Sequence, residues 1–288
     1  MEKQIIQYDT KELSDAFSNF NNYLAQFGLP SENIIASKNE RETVANNLPV
    51  FLQSLSPDIK KDAKYLSKFV AGTAIGLFDA ALNYVWNEVV LNLRKKAATY
   101  GLDLFFDAAI GGKLRDYYKT EEDLQGVKDS VLLNTCRKLE LISDIVHKKL
   151  THILTMRNDV AASHPNVEKI GGFELLGWLQ TCVKDVLQDQ LSESAIQIKA
   201  LVENLKSAQT VVSDDVVSSM QNAIKNLSLA HANNMLITTF GMFVDVKSSN
   251  ILRKNISKIA QIIWEAASEN VKVNIGVKID GFKNNLHQ

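Results

Sequence analysis

Arg157 and His164 are the residues whose types and spacing offer chemistry most directly. Histidine titrates near neutral pH and can give or take a proton at a reacting atom. A guanidinium can hold developing negative charge through paired hydrogen bonds. The two lie seven positions apart. On a continuous α-helix that spacing separates them by only about 20° around the axis, and both fall within about 40° of Ile153. They therefore extend an apolar stripe of Leu139, Ile142, Val146, Leu150 and Ile153. An arginine on a core-facing stripe needs a partner, a cleft or a subunit interface, because burying an unpaired charge is costly. Pro165 disfavours helix at His164, which places the histidine at a helix end. A structural alternative has Arg157 pair with Asp159 or a neighbouring carboxylate while His164 caps a helix. The spacing alone admits both.

The elements that must position these residues are helices. Pro30, Pro49, Pro57 and Pro165 are the only prolines, and the long proline-free stretches between them favour an all-α chain. Asp9 and Glu12 can cap a first helix that closes at Gly28-Leu29-Pro30. Ser56-Pro57-Asp58 reads as a helix start running to about Val70. Another helix is expected from Thr73 to Tyr100, with Phe78, Leu82, Val85, Val89 and Leu93 inward and Gly101 as terminator. The run from Gly111-Gly112 to Thr120 reads as a connection, followed by a Thr120/Asp123 capping pair. One long helix is expected after Gly171-Gly172, through Leu176, Val186, Ile198 and Leu205, and a further helix from Ser213. Val271, Val273, Ile275, Val277 and Ile279 alternate like a strand, although a frayed helix end reads the same way.

Length and charge bound the rest. The 288 residues can bury a sizeable core without disulfides or metal. Lys plus Arg number 32 and Asp plus Glu 33, so any attraction to nucleic acid must be local. Cys136 and Cys182 form no CxxC pair and read as buried thiols, which suits a reducing compartment. No secretory leader follows the charged start, and no uninterrupted apolar run reaches membrane-spanning length. The region from Phe69 to Val90 is broken by Asp79, Asn83, Asn87 and Glu88. The expectation is a cytoplasmic protein with no membrane partner.

Arg157-Asn158, five residues, then His164 and Pro165 resembles the Rx4-6H motif of the HEPN superfamily, including the polar residue directly after the arginine. A long amphipathic helix before the motif and another after it match the family context. The resemblance covers about Ser56 to Lys206. It implies 56–206 as a HEPN-like helical bundle and does not account for residues 1–55 and 207–288, which are expected from their patterning as an N-terminal and a C-terminal helical segment. It further implies a metal-independent endoribonuclease without cofactor. His164 would be general acid or base, Arg157 would stabilise charge, and Asn158 would orient the histidine or a phosphate oxygen. Arg157 and Asn158 would both contact substrate. Many members act in antiviral defence or as toxins, so the implied partners are RNA such as tRNA, a second copy of the chain, and an antitoxin or regulatory protein. One motif per chain implies a homodimer that brings two Arg–His pairs together. The alternatives are a non-catalytic HEPN-like module binding RNA, nucleotides or protein, and a helical interaction module with a structural Arg157.

Other candidates are weaker. His147 and His152 are five apart and cannot form an i, i+4 metal pair. No HExxH or Cys/His cluster is present, so no metal is expected. Gly111-Gly112-Lys113 lacks the remainder of a phosphate loop. Lys60-Lys61 and Arg94-Lys95-Lys96 read as solvated faces or helix-dipole partners. His231 reads as a helix-end residue, and Trp86, Trp178 and Trp264 as core or dimer packing.

Overall fold

A computed structural model describes residues 22–30, 34–110, 112–161 and 169–286. The chain is all-α, and no strand occurs among the described residues. It forms two compact units. One holds the described residues up to Asn92 together with Lys148–Asp189; the other holds Leu93–His147 and the chain from Gln190 onward.

In the first unit, residues 22–26 are helical and end as expected at Gly28, whose φ is 67°. Asp9 and Glu12 lie outside the described residues. Helix α1 (Lys38–Ser54) is capped by Ser37, whose side chain accepts from the Glu40 amide. Helix α2 (Pro57–Asp62) starts at the expected Ser56 cap. It stops well short of Val70, because the Tyr65 amide donates to the buried Glu88 carboxylate at 2.7 Å instead of continuing the helix. Helix α3 (Leu66–Ile75) then ends at Gly76, in left-handed backbone with φ 87°. A Cβ there would meet Arg41 Cδ at 2.8 Å, so both conformation and space require glycine.

Helix α4 (Phe78–Tyr100) therefore begins later than Thr73. Its expected inward residues, Phe78, Leu82, Val85, Val89 and Leu93, are all buried. The boundary between the units falls within α4, at Asn92/Leu93.

Helix α5 (Leu102–Ala109) follows Gly101, whose φ is 128°. Two 3-10 turns, Gly112–Tyr117 and Glu122–Gly126, replace the expected plain connection. Arg115 pins the first turn to Asp107 at 2.6 Å and to Asp103 at 3.1 Å. Asp123 caps the second, accepting from the Lys119 and Thr120 amides. Helix α6 (Asp129–Lys138) ends at Glu140, whose φ of 54° breaks the continuous stripe expected from Leu139 to Ile153. Helix α7 (Asp144–Met156) carries the remainder of that stripe and crosses the unit boundary at His147/Lys148.

In the first unit, α8 (Gly172–Cys182) lies against α1 so closely that a Cβ on Gly172 would approach Glu40 O at 2.8 Å. The Gly172 amide donates to the Glu40 carboxylate. The long helix expected here ends after Leu187, and Ser192 caps a separate helix, α9 (Glu193–Ser207), in the second unit.

Helix α10 (Asp214–Lys225) starts at Ser213 as expected. With α11 (Leu229–Val244), α12 (Asn250–Ala266) and α13 (Glu269–Leu286) it encloses Leu205, Met220, Ile224, Met235, Ile259 and Ile263. Buried Asn255 holds the α9–α10 connection by accepting from the Val212 amide at 2.9 Å and donating to Thr210 O.

The strand-like alternation of Val271 to Ile279 is helix. Ile275 is 2% exposed and packs into the core with Val271 and Ile279, the residues one turn away on either side. Val273 and Val277, at 63% and 67%, face out, so their alternation with the inward residues is coincidence.

Candidate functional site around Arg157

The stripe on α7 leads directly to Arg157. Leu150 and Ile153 are buried, and so is Val160 beyond the arginine, which leaves Arg157 half-buried between apolar neighbours. At Arg157 the α-helix gives way to a five-residue π-helical turn, Arg157–Ala161. Such turns recur at functional positions. The turn also changes the phase of the helix, so the 20° separation expected for a continuous α-helix no longer relates Arg157 to the residues that follow. His164 and Pro165 lie outside the described residues.

Two asparagines hold the guanidinium. Arg157 Nε donates to Asn83 Oδ1 on α4 at 3.1 Å, and Arg157 Nη1 donates to Asn158 Oδ1 at 3.0 Å. Asn83 is itself oriented, because its Nδ2 donates to the Asp79 carbonyl one turn back at 3.0 Å. Asn158 thus serves the arginine in this structure. Asp159 is exposed and forms no ion pair with Arg157. Among the described residues no carboxylate pairs with Arg157 and no group accepts from its Nη2. The guanidinium keeps its full charge, because arginine does not lose its proton in proteins.

Asn83 was legible only as an interruption. Asp79, Asn83 and Asn87 recur at steps of four along the helix and mark a polar line on it. Nothing in the sequence joins that line to Arg157, 74 residues away.

The other candidates behave differently. His147 Nε2 meets Asn134 Oδ1 at 2.9 Å, and His152 stands beside the Trp178 ring. Cys136 and Cys182 are buried; burial pushes the Cys136 thiol up to about 12 and raises that of Cys182 as well. Lys96 departs from the solvated reading: it is buried, with Nζ 3.4 Å from Leu141 O. Trp86 and Trp178 are core residues, whereas Trp264 is 37% exposed. Among the described residues no three His, Cys, Asp or Glu side chains gather as a metal-binding group. None of the described helices is long and apolar enough to cross a membrane.

His231 is a buried residue at the start of α11, within a polar network that the sequence did not announce. Its Nδ1 lies 3.4 Å from the Tyr100 hydroxyl, and its Nε2 lies 3.4 Å from Glu140 Oε2. Asn234 Nδ2 donates to the Tyr100 hydroxyl and to Leu104 O. Burial lowers the His231 pKa against the opposing pull of Glu140. Burial also pushes Tyr100 up to about 12, although the Asn234 hydrogen bond works against it. Glu140 lines an open cleft of about 750 Å³ in the same unit, together with Asn134, Arg137, Lys138, Ser143 and Asp144. Charges there meet protein partners: Arg137 pairs with Asp144 at 2.6 Å, and Glu140 accepts from Ser228 at 2.8 Å.

Against known proteins, no family model, no curated protein and no solved structure matches the chain.

Proposed function

We propose that the chain is a metal-independent endoribonuclease of HEPN type, in which Arg157 holds an RNA phosphate and His164 transfers a proton. One observation carries this reading. A half-buried guanidinium is held by two neutral amides and faces no carboxylate among the described residues. An arginine retained for stability alone is best served by a carboxylate, which offsets the cost of removing its charge from water. An arginine fixed by amides keeps that charge for an incoming anion.

Attack of an RNA 2′-hydroxyl on the adjacent phosphorus forms the new O2′–P bond and breaks the P–O5′ bond. The 2′-hydroxyl loses a proton, and the departing 5′ oxygen gains one. His164 serves as general acid or base in these transfers, and Arg157 stabilises charge on the non-bridging oxygens. Asn158 acts through Arg157, by holding Nη1. One motif per chain makes a homodimer the active form, with two Arg–His pairs meeting at its two-fold axis. A role in antiviral defence or as a toxin restrained by an antitoxin follows from the resemblance. In the second reading the same Arg157 site belongs to a non-catalytic module that binds RNA or nucleotides and has no need of His164.

The test is cleavage of tRNA and total RNA in EDTA by wild type and His164→Ala, with analysis of the product ends and of mass by light scattering. The expected result is a dimer that leaves 2′,3′-cyclic phosphate and 5′-hydroxyl ends, with cleavage lost in the variant. Products bearing 3′-hydroxyl ends would overturn the mechanism, and binding without cleavage would move the assignment to the second reading.

A further inference from the structure

We infer that Asn83 is a positioning residue for Arg157: it fixes the guanidinium through Nε while leaving its charge unneutralised. This rests on the reading of Arg157 as the group that holds the phosphate.

Three observations converge on Asn83. First, it sits on the polar line of α4, half-buried, and reaches Arg157 across 74 residues of sequence. Second, its Nδ2 is engaged by the Asp79 carbonyl at 3.0 Å, which turns Oδ1 towards Arg157. Third, the two acceptors on Arg157 lie at different nitrogens, Nε and Nη1, so together they set the plane of the guanidinium. The Nη2 group then has no acceptor among the described residues, and its two N–H donors suit a non-bridging phosphate oxygen.

The residue type matters as much as the position. An aspartate at 83 could accept the same Nε–H bond, but it would neutralise the cation and compete with the phosphate. An alanine would leave the charge intact and lose the orientation. Asparagine supplies an acceptor of the right reach with no charge, so its two replacements fail in different ways.

The experiment uses the full chain and the variants Asn83→Ala and Asn83→Asp, with Arg157→Lys to assign the Arg157 Nε–H resonance by its disappearance. Proton exchange at Nε–H, affinity for an RNA oligonucleotide blocked by 2′-deoxy substitution, and kcat for RNA cleavage are measured on each. Asn83→Ala should speed Nε–H exchange by about tenfold, the equivalent of removing one net hydrogen bond. Asn83→Asp should keep Nε–H as slow as in wild type or slower, hold the melting temperature, and weaken both oligonucleotide binding and kcat by about tenfold or more. Exchange in Asn83→Ala equal to wild type would overturn the inference. Wild-type binding and kcat in Asn83→Asp would also overturn it, because neutrality at 83 would then be irrelevant. Absence of RNA binding by wild type would defeat the functional reading, while Nε–H exchange would still decide whether Asn83 positions Arg157.

Discussion

At Arg157 a permanent cation in partly apolar surroundings is met by two neutral amide oxygens. At His231 a titratable ring, fully buried, is met by a phenol on one side and a carboxylate on the other. Each site lies in its own compact unit, and each departs from the usual rule in a different direction. Arginine cannot shed its proton, so neutral partners leave a charge in place and available. Histidine can, so burial is accommodated by neutralisation, and Glu140 opposes that shift without reversing it. The first arrangement stabilises little by itself and suits a ligand. The second joins α4, α11 and the Leu104 carbonyl of α5 through interior hydrogen bonds.

The sharpest break in this comparison would come from Arg157→Ala. Removal of one charge-stabilising donor should lower kcat/KM for RNA cleavage by about 10²- to 10³-fold, with melting temperature nearly unchanged. A variant that unfolds while wild type cleaves no RNA would place Arg157 with the structural residues.

His231→Ala should do the reverse. It removes the imidazole partner of the Tyr100 hydroxyl, leaving Asn234, and opens a hole, so urea unfolding should show a loss of about 2–4 kcal/mol, with cleavage by the folded protein retained. A cost below about 0.5 kcal/mol, the range of ordinary surface changes, would remove His231 from the interior framework.

A smaller effect lies in pH. The folded-state pKa of His231 is below its ordinary 6.5, so its contribution to stability is fully present above 6.5 and is lost as pH falls towards the folded value. Wild-type stability should decline as pH falls below 6.5, and His231→Gln should flatten that decline. Asp103 responds in a separate, more acidic window. Burial alone would raise its pKa, but Lys206 and Arg115 override that and hold it below 3.8, so its contribution is lost only as pH falls beneath that value. Equal slopes in wild type and His231→Gln between pH 7 and 5 would contradict the assignment.

The smallest effect is expected for Asp159→Asn. Because Asp159 is exposed and does not pair with Arg157, stability should stay within about 0.5 kcal/mol of wild type. Cleavage should change by less than about twofold, within the range of surface substitutions. A large gain in cleavage would show that Asp159 restrains the arginine in solution.

Much of the helical framework was legible because its signals are local. Proline scarcity, the Ser56-Pro57 start, the Gly101 stop and the Ser213 start each act through neighbouring residues. The departures come from contacts distant in sequence. Glu88 draws the Tyr65 amide out of a helix that local pattern would continue, and Glu140 breaks the stripe in left-handed backbone without a glycine to announce it. The Val271–Ile279 segment misled because three inward residues, each a turn apart, happened to be interleaved with outward valines. At the site, the half-buried setting of Arg157 on the stripe could be anticipated from periodicity. Its partner Asn83 could not, because a single sequence carries no mark of contact across 74 residues.

The role proposed for Arg157 is that of a cation held by neutral amides for an incoming phosphate. Its most direct test is titration of a 2′-deoxy-blocked RNA oligonucleotide against wild type and Arg157→Ala over a range of salt concentrations. Weaker binding is expected in the variant, with a salt slope smaller by about 0.7 for each phosphate that is no longer neutralised. Equal affinity and equal slope for the two proteins would contradict it.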